Sequence, residues 1–202
     1  MLAPAPFLFG VSFGVLAEAA GMGVVAATIM SATTFGGAAQ FAVVTILEDG
    51  GTIVAAILAA VFLNARYIAI GVTVASIIPG GRLGRFVRAQ LIVDESWALS
   101  GRSGRFEWPL LAGAGLLLYV LWVASTALGS LAGGALDNPD ALGLDAAFAV
   151  LFLALALPYL RSRRALQAAA LAAVITLALL PIAPAGVPIV AASAACLLGL
   201  RR

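Results

Sequence analysis

Gly36, Gly37, Ala38 and Gln40 stand inside an apolar run, in the stretch Met30–Phe41. On a helix, Thr33, the glycine pair and Gln40 recur at three- and four-residue steps and share one face. A glycine pair there permits two things. It lets another backbone approach closely. It also lets the helix break and turn N–H groups toward a ligand, which membrane depth tolerates only where protein or a water-filled cavity covers the break. The plainer alternative is a tight helix contact with the Gln40 amide bonded to a neighbour.

A second polar island, Asn64-Ala65-Arg66-Tyr67, interrupts the apolar segment Thr52–Ile78. Arg at the centre of a spanning helix costs about 2.5–3.5 kcal/mol before any partner is counted. Asn64 and Tyr67 share a face of a straight helix, and Arg66 points elsewhere. Either the helix bends, or Arg66 makes an ion pair while Asn64 faces a cavity. Asp94 and Glu95 are its candidate partners, or carriers of a transported proton; the alternative for both is a solvated face. Glu18, near the end of the first apolar segment, either sits at the membrane interface or faces inward as a proton or ammonium site.

The elements that position these residues follow from composition. Of 202 residues, 63% are hydrophobic and 10% charged, against roughly 25% charged in a soluble domain. Apolar runs of about 20 residues recur, so the chain reads as an all-α polytopic bundle in the lipid bilayer, one domain over 1–202. Every basic residue is Arg, with no Lys, no His and the single cysteine Cys196. That composition excludes an intrachain disulfide and argues against zinc, haem and His-based catalysis. No protease or hydrolase motif is present, and no cofactor or metal site is expected, so the chain is not read as an enzyme. It has no basic stripe for nucleic acid.

In order, the expected segments are Pro6–Ala20, with Gly10 and Gly14 spaced for close packing, then Val24–Leu47, an acidic turn at Glu48–Gly51, and Thr52–Ile78. Pro79–Arg88 reads as a loop with Arg82, Arg85 and Arg88. Ala89–Ser100 is too short to span and reads as a re-entrant or interfacial helix. Gly101–Trp108 is polar, and Pro109–Ala132 spans without interruption. A loop at Gly133–Gly143 holds Asp137 and Asp140, and Leu144–Leu160 spans, with Asp145 in its first turn. A basic turn at Arg161–Arg164 leads to a hairpin of Ala165–Leu180 and Val187–Leu200. Ten of the eleven Arg lie in Pro79–Trp108, Arg161–Arg164 and the C-terminus, which the positive-inside rule places in the cytoplasm. The expectation is about seven crossings with one or two broken or re-entrant helices. If the N-terminus lies inside instead, Val24–Leu47 must be re-entrant.

Four islands in this order resemble the AzlC-type permease, the large subunit of bacterial branched-chain amino acid exporters. They are Phe13-Gly14-Val15-Leu16-Ala17 with Gly21, then Met30-Ser31 with Gly36-Gly37-Ala38-Ala39-Gln40-Phe41, then Asn64-Ala65-Arg66-Tyr67, and Asp94-Glu95-Ser96-Trp97-Ala98-Leu99. A later run, Leu144–Phe148 with Phe152, Leu155, Ala156 and Pro158, also looks like the family's. The short N-terminus without a basic lead-in, and Glu18, depart from the pattern. The resemblance implies proton-coupled export of branched-chain amino acids across the bacterial inner membrane. It also implies a small AzlD-type hydrophobic partner subunit. For such a zwitterion, N–H groups at Gly36-Gly37-Ala38 would take the carboxylate. Gln40 and Asn64 would supply donors and acceptors. Phe35, Phe41 and Tyr67 would line the apolar pocket, and Arg66 would pair with Asp94 or Glu95. Rival readings are a channel or transporter for another small metabolite, and a non-transporting assembly subunit.

Overall fold

The computed structural model of the chain describes residues 4–102, 105–134, 160–183 and 187–192, with 153, 157, 194 and 195. The segment expected over 144–160 lies almost wholly outside the described residues, as do Asp137, Asp140, Asp145, Cys196, Arg201 and Arg202.

The elements are α1 (Pro4–Ala19), α2 (Val24–Thr34), α3 (Gly37–Glu48), α4 (Ile53–Asn64), α5 (Arg66–Val74), α6 (Arg82–Ala89) and α7 (Asp94–Ser100), then a hairpin of β1 (Gly101–Arg102) and β2 (Arg105–Phe106), then α8 (Trp108–Gly133), α9 (Arg163–Leu179) and α10 (Val187–Ala192). The fold is helical, as composition requires. Among the described residues, Ile53–Val74 and Trp108–Gly133 are long and apolar enough to cross a membrane. At about 1.5 Å per residue, the 26 residues of α8 reach about 39 Å, past the roughly 30 Å hydrocarbon core. α1, α2 and α3 are apolar but shorter.

Helix ends are set by local chemistry. Gly21 (φ 74°) closes α1, with its N–H on Glu18 O and the Met22 N–H on Ala17 O. Gly50 (φ 73°) closes α3 in the same way, with the Gly51 N–H on Ile46 O. Both are paired C-terminal caps that need a left-handed residue, which glycine adopts without a Cβ clash.

The chain forms two compact units, Met1–Gln40 with Asn64–Asp137, and Phe41–Leu63 with Asn138–Arg202. In the first, α8 packs against α1, α2 and α7. The α1–α8 seam is built from small residues. A Cβ on Gly14 would meet the Thr126 carbonyl and one on Gly129 would meet the Val11 carbonyl, while the Ser130 hydroxyl donates to Gly14 O at 3.0 Å. The close packing expected at Gly10 and Gly14 is therefore present, with α8 as its partner. In the second unit, Ile46, Ala56 and Ala59 form an apolar cluster, and the Ser162 hydroxyl caps α9 by accepting from the Ala165 N–H.

Two expectations are corrected. Pro79–Arg88 is not all loop, because α6 starts at Arg82. Three Arg in seven positions look like a solvated loop, but at three-residue steps they make one helix face. The stretch expected as one helix over Ala89–Ser100 is split: Ala89 ends α6, Gln90 and Leu91 form a turn, Val93 is extended and α7 starts at Asp94; the stretch after it contains the hairpin, with Arg102 opposite Arg105.

Candidate functional site

The run Val24–Leu47 is broken where its glycines allow. α2 ends at Phe35, which takes the left-handed conformation (φ 38°, ψ 52°), and α3 starts at Gly37. A left-handed bulky residue is strained, by about 1–2 kcal/mol. Phe35 is held there by burial and by an edge-on contact with Tyr119, ring centroids 5.1 Å apart. The break orphans carbonyls at the end of α2. Gln90 Nε2 donates to Ala32 O at 3.1 Å and to Thr33 O at 2.9 Å, and the Tyr119 hydroxyl donates to Ala32 O at 2.9 Å.

The other side of the break presents donors. The backbone ladder of α3 opens with the Gln40 N–H on Gly36 O at 3.0 Å. The N–H groups of Gly37, Ala38 and Ala39 precede it, at the positive end of the helix dipole. Gly36 is also where Asn64 arrives: a Cβ there would lie 2.7 Å from Asn64 Oδ1 and 3.3 Å from Nδ2. That Oδ1 is buried and has no hydrogen-bond partner. A buried acceptor left unmade costs about 1–3 kcal/mol, which a donor brought by a ligand would recover. Gly36, Gly37, Ala38 and Asn64 therefore gather at one place.

Gln40 is engaged by the protein itself. Trp122 Nε1 donates to Gln40 Oε1 at 2.9 Å, and Gln40 Nε2 donates to Ser31 Oγ at 2.7 Å. Ser31 Oγ lies 2.8 Å from Thr126 Oγ1. Gln40, Ser31 and Thr126 are fully buried. This chain joins α2, α3 and α8 directly beneath the break, and the Trp122 ring covers Gly37, 2.9 Å from where a Cβ would stand. The plainer expectation for Gln40, an amide bonded to a neighbouring helix, describes this geometry.

Arg66 Nη2 pairs with Asp94 Oδ2 at 2.8 Å, so the partner is Asp94 and not Glu95, which is exposed. Arg66 is expected to point elsewhere than Asn64 and Tyr67 only on a straight helix, and the helix is interrupted here, α4 ending at Asn64 and α5 starting at Arg66. The guanidinium lies over the Tyr67 ring, 5.2 Å from its centroid, and Nη2 reaches the hydroxyl at 3.4 Å. Helical geometry tightens at Ala65, where the Ile68 N–H bonds to Ala65 O. Two long side chains at consecutive positions can then fold over one another. A second tie joins the same helices, since Trp97 Nε1 donates to Thr73 Oγ1 at 2.9 Å. Asp94 opens α7, where its charge suits the helix dipole. Ser96 accepts from the Val93 N–H at 3.0 Å and fixes that first turn.

Glu18 does not join the break. It packs on Gly133, 3.2 Å from a Cβ built there, with Oε2 buried and unpartnered. Eleven residues of α8 separate Gly133 from Trp122, about 16 Å along the axis. Phe41 belongs to the other compact unit. Sequence reasoning missed Gln90 and Tyr119, and the part played at the break by Trp122 and Thr126. The last two had a signal: the row Trp122, Ser125/Thr126, Gly129/Ser130 and Gly133 repeats at helical spacing along α8.

Residues 2–136 match a family model described as AzlC protein. An uncharacterized membrane protein of Archaeoglobus fulgidus is 38% identical over 156 residues, which is 75% of this chain and 68% of that protein. No solved structure matches. The family match includes each residue of the break and of the Arg66–Asp94 pair, and stops before the run 144–158.

Proposed function

The chain belongs to the AzlC family of membrane proteins, and on that premise we propose that it is a secondary transporter subunit. It exports branched-chain amino acids across the bacterial inner membrane, drawing on the proton gradient and working with a small hydrophobic AzlD-type subunit. The chain forms one permease domain over 1–202, crosses about seven times and keeps its C-terminus in the cytoplasm.

The observation that supports this reading is the broken helix with an orphaned amide. An amino acid carries a carboxylate and an ammonium. The N–H groups of Gly37 and Ala38 suit the carboxylate, at the start of a half-helix. The buried, unpartnered Oδ1 of Asn64 suits the ammonium. Tyr67 and the buried Phe35 offer apolar surface to a branched side chain. Gln40 acts by holding α3 against Trp122 and Ser31, and Arg66 with Asp94 fastens α5 to α7 and is the candidate for proton coupling. Glu18 and Glu95 are secondary candidates for that coupling.

The test is efflux of labelled leucine from cells carrying the chain with its partner, with valine and isoleucine as competitors. Asn64→Ala is expected to abolish efflux at normal membrane abundance. Leucine efflux unchanged by Asn64→Ala would remove the site. Efflux insensitive to valine and isoleucine would favour a transporter of another small metabolite.

A further inference from the structure

Along α6, Arg82, Arg85 and Arg88 recur at three-residue steps, and Leu83, Phe86 and Val87 occupy the other side. At about 100° per residue, the centres of the two rows stand roughly 150° apart. The usual surface helix turns its apolar row toward the protein. Here two of the three Arg are bonded back to the chain that precedes the helix. The Arg85 guanidinium donates to the Ala75 carbonyl, and Arg88 Nη1 donates to Pro79 O at 2.9 Å. Ala75 is the C-cap residue of α5, where the helical ladder runs out of donors, and Pro79 lies in the segment that connects α5 to α6. The Arg85 guanidinium finishes that helix end, and Arg88 holds α6 to the connecting segment.

Arg85 and Arg88 are engaged in this way, and the apolar row faces outward. Leu83, Phe86 and Val87 are 77%, 78% and 64% exposed. Their surroundings are set by the helix to which α6 is fastened. α5 is the second half of the apolar span Ile53–Val74 and carries the exposed Ile68 and Val72, which hydrocarbon covers in a spanning helix. Only residues 75–81 separate α5 from α6. The exposed apolar row of α6 therefore follows directly on the end of that span.

We propose that α6 is an interfacial helix: Leu83, Phe86 and Val87 insert among lipid acyl chains at the rim of the bilayer, Arg82 lies at the phosphates, Arg85 anchors the helix to the end of α5, and Arg88 anchors it to the connecting segment. The insertion bears on the broken helix as well. Gln90 is the C-cap residue of α6, and its amide holds the Ala32 and Thr33 carbonyls at the end of α2. Lipid contact at α6 and the geometry of the break are thus joined through one side chain.

The experiment uses the full chain in a Cys196→Ser background, reconstituted in vesicles of phosphatidylcholine and phosphatidylglycerol. Single nitroxide labels are placed through Leu83→Cys, Phe86→Cys, Val87→Cys and Arg82→Cys, and their power saturation is compared with oxygen and with a water-soluble nickel chelate. These positions are exposed, so each label leaves the packing intact. The expected result is a depth of about 5–10 Å below the phosphates at positions 83, 86 and 87, with position 82 open to nickel. Nickel access at 83, 86 and 87 equal to that at 82 would put the row in water and overturn the proposal. Low access to both reagents would mean that another protein chain covers it, and would overturn the proposal equally.

Discussion

Replacing Gln40 with leucine removes the centre of the buried hydrogen-bond chain under the break. In Gln40→Leu the Trp122 indole loses its acceptor at 2.9 Å and the Ser31 hydroxyl loses its donor at 2.7 Å. A side-chain hydrogen bond between helices in a bilayer contributes about 0.6 kcal/mol on average and up to about 1.7. Two such bonds sum to about 1.2–3.4 kcal/mol on that basis. The substitution also strands the indole N–H, and a buried donor without a partner costs about 1–3 kcal/mol. The expected destabilisation is therefore about 2–6 kcal/mol. Trp122→Phe removes the other partner but also loses ring contact over Gly37. A double-mutant cycle cancels that packing loss and isolates the Gln40–Trp122 coupling, expected at about 0.6–1.7 kcal/mol. Reversible unfolding in mixed micelles with a rising fraction of denaturing detergent measures all four proteins. Additivity within about 0.3 kcal/mol would mean that the bond does not hold the helices together.

On the α1–α8 seam, Gly129→Ala should cost about 1–3 kcal/mol, because its Cβ meets the Val11 backbone, which cannot swing aside. Gly113→Ala, with nothing within 4 Å, should be neutral or stabilising by up to about 1 kcal/mol in the same unfolding assay. Arg66→Asp and Asp94→Arg should each lower leucine efflux, and the double swap should restore part of it. With side chains 38% and 31% exposed, the pair contributes only about 1 kcal/mol to stability after allowing for screening. Phe35→Gly should relieve about 1–2 kcal/mol of left-handed strain but lose about 3–5 kcal/mol of buried aromatic packing. The net loss of about 2 kcal/mol is readable as a lower thermal midpoint.

Gly36 and Gly37 announced the break because glycines and an amide inside hydrocarbon need a reason. The left-handed residue is nevertheless Phe35, since tertiary contact with Tyr119 can impose a conformation that local preference assigns to glycine. Arg66 announced an ion pair because an unpaired guanidinium at that depth is too costly, and Asp94 answers it. The choice of Asp94 over Glu95 depends on how α7 is turned, which one sequence does not encode. α6 was obscured because its charges suggested a loop. The central place of α8 was obscured too. A helix apolar on all sides has no amphipathic period, and its packing face is written only in small residues and hydroxyls.

The most direct measurement is equilibrium binding of labelled leucine to the purified chain with its partner, for wild type, Gly36→Ala and Asn64→Ala, each first shown to be stably folded. If the broken helix and the Asn64 amide hold the amino acid, wild type binds leucine in competition with valine and isoleucine. Both variants then lose at least about tenfold in affinity, a difference of about 1.4 kcal/mol. Leucine bound with wild-type affinity by both variants would contradict the assignment of this site.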